Sequence, residues 1–143
     1  MTTHVLVPVD GSSRSDEALA FALEQYPSAR VTVLHVVEPV SPYGYAGEDA
    51  FDYEAYTREA THREGQAEKL LEGYQQQAAE YGTDIETTVE MGKPTKAILS
   101  SIDELGVDHV VIGSRGRSGV GRVVFGSVAE TVTRRSPVPV TIV

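Results

Sequence analysis

Val5-Leu6-Val7-Pro8-Val9-Asp10-Gly11-Ser12-Ser13 (residues 5–13) is an apolar run that ends in a carboxylate, a glycine and two serines. The run has the β-branched composition of a strand, and the glycine and serines after it mark a turn into a helix. Ser13 and Asp16 have the spacing of a capping box, so the helix is expected to begin near Ser13, with Ala18, Leu19, Ala22 and Leu23 as its apolar stripe. The same strand-then-helix order recurs along the chain. Strand-like runs fall at His4 to Val9, Arg30 to Val37, Asp84 to Met91, His109 to Gly113 and Pro139 to Val143. Helical spacing occupies Tyr53 to Tyr81, with Gly82 as its stop, then Pro94 to Gly106, and then Ser127 to Arg135, ended by Ser136-Pro137. This alternation predicts an α/β domain, an open parallel sheet covered by helices. The first, second and fourth runs are nearly continuous in Val, Leu and Ile, as in strands buried on both faces.

The 143 residues suit a single domain, residues 1–143, and 41% of them are apolar. No apolar run approaches the roughly 20 residues of a membrane span, and nothing at the start of the chain reads as an export signal. A cytoplasmic protein is therefore expected. Without cysteine there is no disulfide framework, thiolate catalysis or sulfur-ligated metal. A formal charge of −9, from 21 acidic and 12 basic residues, repels nucleic acid and anionic lipid, so neither is an expected partner. Three of the basic residues are lysines, a balance that fits a high-salt cytoplasm and ordinary surface solvation alike.

The chemistry concentrates after the fourth strand, in Gly113-Ser114-Arg115-Gly116-Arg117-Ser118-Gly119-Val120-Gly121-Arg122-Val123-Val124-Phe125-Gly126-Ser127. Five glycines fall within fourteen positions there, and glycine lets the backbone approach a ligand closely enough for successive N–H groups to converge on an anion. Gly126-Ser127 then enters a helix whose first turn has unpaired N–H donors, and Ser127 with Glu130 repeats the capping-box pattern. No Asp or Glu lies between His109 and Ala129, whereas Arg115, Arg117 and Arg122 do, so a segment of charge +3 sits in an acidic protein. Glycines alone would read as a tight turn with solvated arginines. Glycines, positive charge and a helix start together point to an anion site. Asp10, at the end of the first strand, has two readings of equal standing: a contact to a ribose hydroxyl or base amino group, or a cap on its own turn.

Gly113-x-x-Gly116, nine residues, then Gly126-Ser127 resembles the nucleotide-binding signature of ATP-binding universal stress proteins. The opening Val-Leu-Val-Pro-Val-Asp-Gly-Ser, the Leu34-His35-Val36-Val37 strand end and the closing Pro137-Val138-Pro139-Val140 are similar to that family as well, so the resemblance covers essentially the whole chain. It implies a Rossmann-like sheet of the adenine nucleotide alpha hydrolase type, five strands in the order 3-2-1-4-5 with helices on both faces. It also implies ATP as ligand, with Pro8, Val9, Asp10 and Val36 on the adenosine. Ile112, Gly113, Arg115, Gly116, Arg117, Gly126, Ser127 and Val128 would surround the ribose and phosphates. Arg115 stands where relatives often have histidine, a departure from the family's pattern.

The sequence offers no carboxylate cluster for a magnesium ion accompanying the triphosphate, and no catalytic residue is assigned. His4, His35, His62 and His109 have no metal-ligand spacing and read as strand-end or surface residues. The loop serines lack a paired histidine and acid, and a Walker Gly-Lys-Ser/Thr is absent. Residues 38–52, with Pro39, Pro42, Gly44 and Gly47, read as a mobile surface connection. The leading functional reading is a regulatory ATP-binding protein rather than an enzyme. The alternatives are an enzyme that hydrolyses ATP or transfers a phosphoryl or nucleotidyl group, with Asp10 as its obvious base, and an interaction module whose site is vestigial. Edge placement of the last strand, together with the resemblance, predicts a homodimer through Pro139 to Val143.

Overall fold

The computed structural model describes residues 2–47, 50–114 and 126–143. Five strands, β1 (His4–Val9), β2 (Arg30–Val37), β3 (Glu86–Met91), β4 (His109–Ile112) and β5 (Val140–Ile142), form one parallel sheet in the order β3-β2-β1-β4-β5. The helices are α1 (Ser13–Gln25), α2 (Tyr53–Glu80), α3 (Pro94–Glu104) and α4 (Ser127–Arg135).

Alternation along β1 divides the core in two. Val5, Val7 and Val9 join Val31, Val33 and Val111 beneath α1 and α2, with Leu19, Leu71 and Tyr74 closing that layer. Leu6, Leu34, Val110 and Ile112 face the other way, onto Ile98 and Ile102 of α3 and Ala129 and Val132 of α4. A strand apolar at every position is what burial on both faces requires, and all six residues of β1 are buried.

Several boundaries differ from expectation. β3 starts at Glu86, and both it and β5 are shorter than their apolar runs. Ser12, not Ser13, caps α1, its side chain accepting from the Ser15 N–H. Ser127 is likewise inside its helix: Gly126 is the N-cap of α4, without a side-chain cap, and Glu130 pairs with Arg134 instead of reaching back. The connection 38–52 has structure of its own: Pro42–Tyr45 is a 3-10 turn, Ala46 bridges Phe51, and the rings of Tyr45 and Phe51 pack on Tyr56 of α2. Asp52 caps α2, whose buried residues, Ala67, Leu71, Tyr74 and Ala78, all lie in its second half.

His4 opens β1 as a strand-end residue, but it is buried, and its Nε2 lies 2.7 Å from the Thr32 hydroxyl. His109 opens β4, 2.7 Å from the Thr141 hydroxyl of β5 and stacked obliquely on Tyr26. Burial holds the His109 imidazole below its ordinary value of 6.5, so the folded protein keeps it neutral where the unfolded chain takes up a proton. Its contribution to stability is therefore complete well above pH 6.5 and is lost as the pH falls through that value towards the depressed one. His109→Gln keeps a hydrogen-bonding group without the titration, so the drop in urea midpoint between pH 7.5 and 5.5 should be smaller than in the unchanged protein.

Candidate functional site

At the centre of the sheet, pairing of β1 with β2 continues to Val9 opposite His35, whereas pairing of β1 with β4 runs through Val5–His109 and Leu6–Val110 and stops there. Strand order reverses at this same junction, the place where an open α/β sheet makes its ligand crevice, and the ladder stops short of Pro8, which has no N–H to continue it. Pro8 and Val9 end β1 on one side of this junction, and Ile112 and Gly113 follow β4 on the other, all four buried. The adjacency of the first and fourth strands, expected only through resemblance, is thus present.

Asp10 leads the chain out of β1 through a turn whose geometry depends on Gly11, at φ 84. Its Oδ1 accepts from the Ser12 N–H at 3.0 Å and from the Ser15 hydroxyl at 2.8 Å, while its own N–H donates to Ser15 Oγ at 3.0 Å. Asp10 therefore caps its own turn, and Ser15, which sequence reasoning passed over, is the residue that organises it. Below the turn the hydroxyl of Tyr74 is buried without a hydrogen bond of ordinary geometry among the described residues. Burial, and then the nearby Asp16 carboxylate, push its ionisation upwards.

Gly113 has a packing role that its place in a glycine-rich loop does not suggest. A Cβ there would stand 2.9 Å from the backbone carbon and oxygen and the Cβ of Arg14, so its lack of a side chain lets β4 approach the first turn of α1. The next residue is braced twice: the Ser114 N–H donates to Val143 O at 2.7 Å, and Ser114 O accepts from the Gly126 N–H at 2.6 Å. That second bond ties the start of α4 to the end of β4. Gly126, Ser127 and Val128 consequently stand at the same edge of the sheet as Asp10, and helix geometry leaves the first-turn N–H groups of α4 without partners inside the helix. Gly126 has φ −70, a value open to any residue, so a positive φ is not the reason for glycine there. Val36, on β2, packs against the α3 and α4 layer. Arg115, Gly116 and Arg117 lie outside the described residues.

A doubly wound parallel sheet whose order reverses between β1 and β4, with the Asp10 turn and a helix start at that edge, defines a small α/β domain of Rossmann-like architecture. The sequence profile of the universal stress protein family matches residues 1–143, and the chain belongs to that family. The universal stress protein YxiE of Bacillus subtilis is 35% identical over 152 aligned residues, covering 100% of this chain and 99% of that protein. Among solved structures, universal stress protein UspA from Lactobacillus plantarum superposes with a TM-score of 0.82 at 23% identity, covering 99% of this chain and 97% of that one. A universal stress protein solved in complex with cAMP is 28% identical, with a TM-score of 0.69 and coverage of 99% and 96% respectively.

Gly113→Ala should force β4 and α1 apart and destabilise the fold by about 1–3 kcal/mol, the usual range for overpacking. Urea unfolding at neutral pH measures it, and a variant as stable as the parent would show that Arg14 yields.

Proposed function

We propose that the protein is a regulatory nucleotide-binding protein that holds ATP at the carboxyl edge of its sheet. The observation that carries this reading is the reversal of strand order between β1 and β4, with the start of α4 tied to the same edge through Ser114 and Gly126. The relative in complex with cAMP, which shares the fold, supports an adenine nucleotide as the ligand class. In this reading Pro8, Val9, Asp10 and Val36 face the adenosine, while Ile112, Gly113, Gly126 to Val128 and the arginine-bearing stretch 115–117 surround the ribose and phosphates. The first-turn N–H groups of α4 would receive a phosphate, since a helix start offers donors and a partial positive charge. The residues present fit such a ligand: α4 begins without a side-chain cap, and the surrounding segment carries no acid before Glu130.

Binding rather than turnover is the role we infer, because Oδ1 of Asp10, the obvious base candidate, is already engaged by Ser12 and Ser15. Asp10→Asn keeps an acceptor for the turn and removes the charge, so it should weaken ATP and adenosine by a similar factor of about ten. Gly126→Val places a branched side chain where the backbone would meet phosphate, and it should lower ATP affinity by about a hundredfold or more while sparing adenosine. Calorimetric titration of folded variants with both ligands measures this, and the nucleotide recovered afterwards should still be ATP. Normal ATP binding by both variants would refute the placement.

A second copy of the chain is the partner we propose for β5. Pro139 O and the Val143 N–H are bonded to β4, so in an alternating strand the backbone groups of Val140 and Ile142 point to the outer edge. Val140→Pro removes an outward N–H without touching the β4 ladder, and light scattering should report a shift from dimer to monomer.

A further inference from the structure

We propose that His35 is a positioning residue for the nucleoside half of the site: its Nδ1–H holds the Val9 carbonyl and thereby orients the turn that carries Asp10. The inference rests on the nucleotide reading above. His35 stands opposite Val9 in the β1–β2 register, and its Nδ1 lies 2.9 Å from Val9 O. A carbonyl only accepts, so Nδ1 carries the hydrogen, and in the neutral ring Nε2 is the unprotonated nitrogen.

The bond matters because of where Val9 sits. It is the last residue of β1, the strand at which the sheet order reverses, and it leads directly into the turn at Asp10. The peptide unit joining Val9 to Asp10 is gripped at both ends by side chains: its carbonyl by His35, and its N–H by Ser15 Oγ at 3.0 Å. A peptide unit is planar, so fixing both its polar ends fixes the direction in which the chain enters Asp10. Ser15 then returns a hydrogen bond to Asp10 Oδ1 at 2.8 Å, closing the arrangement. The residue after His35 is Val36, so β2 supplies this tether beside a residue of the adenosine subsite itself.

The test compares His35→Leu, which removes the donor at similar bulk, with His35→Asn, whose amide nitrogen can take the place of Nδ1. Both are titrated calorimetrically with adenosine and with ATP, below the unfolding midpoint of each variant. His35→Leu should lose about five- to tenfold in affinity for both ligands, the worth of one such hydrogen bond, and His35→Asn should restore most of it. In the full-length protein, the imidazole nitrogen shifts should show His35 with its hydrogen on Nδ1. Undiminished binding by His35→Leu, Asn as weak as Leu, or a neutral ring protonated at Nε2 would each overturn the proposal alone. Failure of the unchanged protein to bind adenosine or ATP would overturn the nucleotide reading and this inference with it.

Discussion

Burial of β1 on both faces is the constraint from which the rest of the architecture follows. Val5, Leu6 and Val7 are fully inaccessible, and they achieve this only because helices cover the sheet above and below them. Removing a fully buried Val or Leu side chain from water contributes roughly 1.5–3 kcal/mol, so three in succession outweigh any single polar interaction in the fold. Crossover connections put the helices there, and β1, which has neighbours on both sides, becomes the strand at which the winding changes direction. The candidate site is a by-product of that arrangement: where the two sets of crossovers diverge, the turns that leave the central strands meet at one edge of the sheet.

The elements that repeat a strong pattern were readable in advance. β1 and β2 occupy the expected residues, and α2 ends where expected, one residue before its cap. The difficult points were those where adjacent residues share the same chemistry. Ser12 and Ser13 are both good caps, and the choice is made by Asp10, whose carboxylate pulls the Ser12 N–H and the Ser15 hydroxyl into one turn. At α4, Ser127 matched a capping box, but Gly126, bonded to Ser114 O, takes the cap position and leaves Ser127 exposed in the first turn. Local patterns carry no information on a partner twelve residues away.

The candidate site was legible to the same extent. Asp10, Gly113 and the Gly126–Val128 helix start came from composition and resemblance, and the sheet brings them to one edge. The supporting residues did not, since Ser15 and His35 act through backbone atoms at Asp10 and Val9 and fit no spacing rule. Gly113 was found for an incomplete reason: a glycine-rich loop suggested ligand approach, whereas its backbone is close to that of Arg14 in another element. A contact between segments a hundred residues apart leaves no trace in either one.

The 28 residues of α2 make a rod of about 42 Å, against about 26 Å for the eight residues of β2. No residue of the helix before Ala67 is buried, so the core itself anchors its second half. The first half is held by the Asp52 cap, the Arg63–Glu59 pair and the rings about Tyr56. A helical stretch of that length is marginal in water by itself. The rod thus carries a gradient of local stability, from amides that open only with the whole domain to amides that exchange by fraying of a few turns.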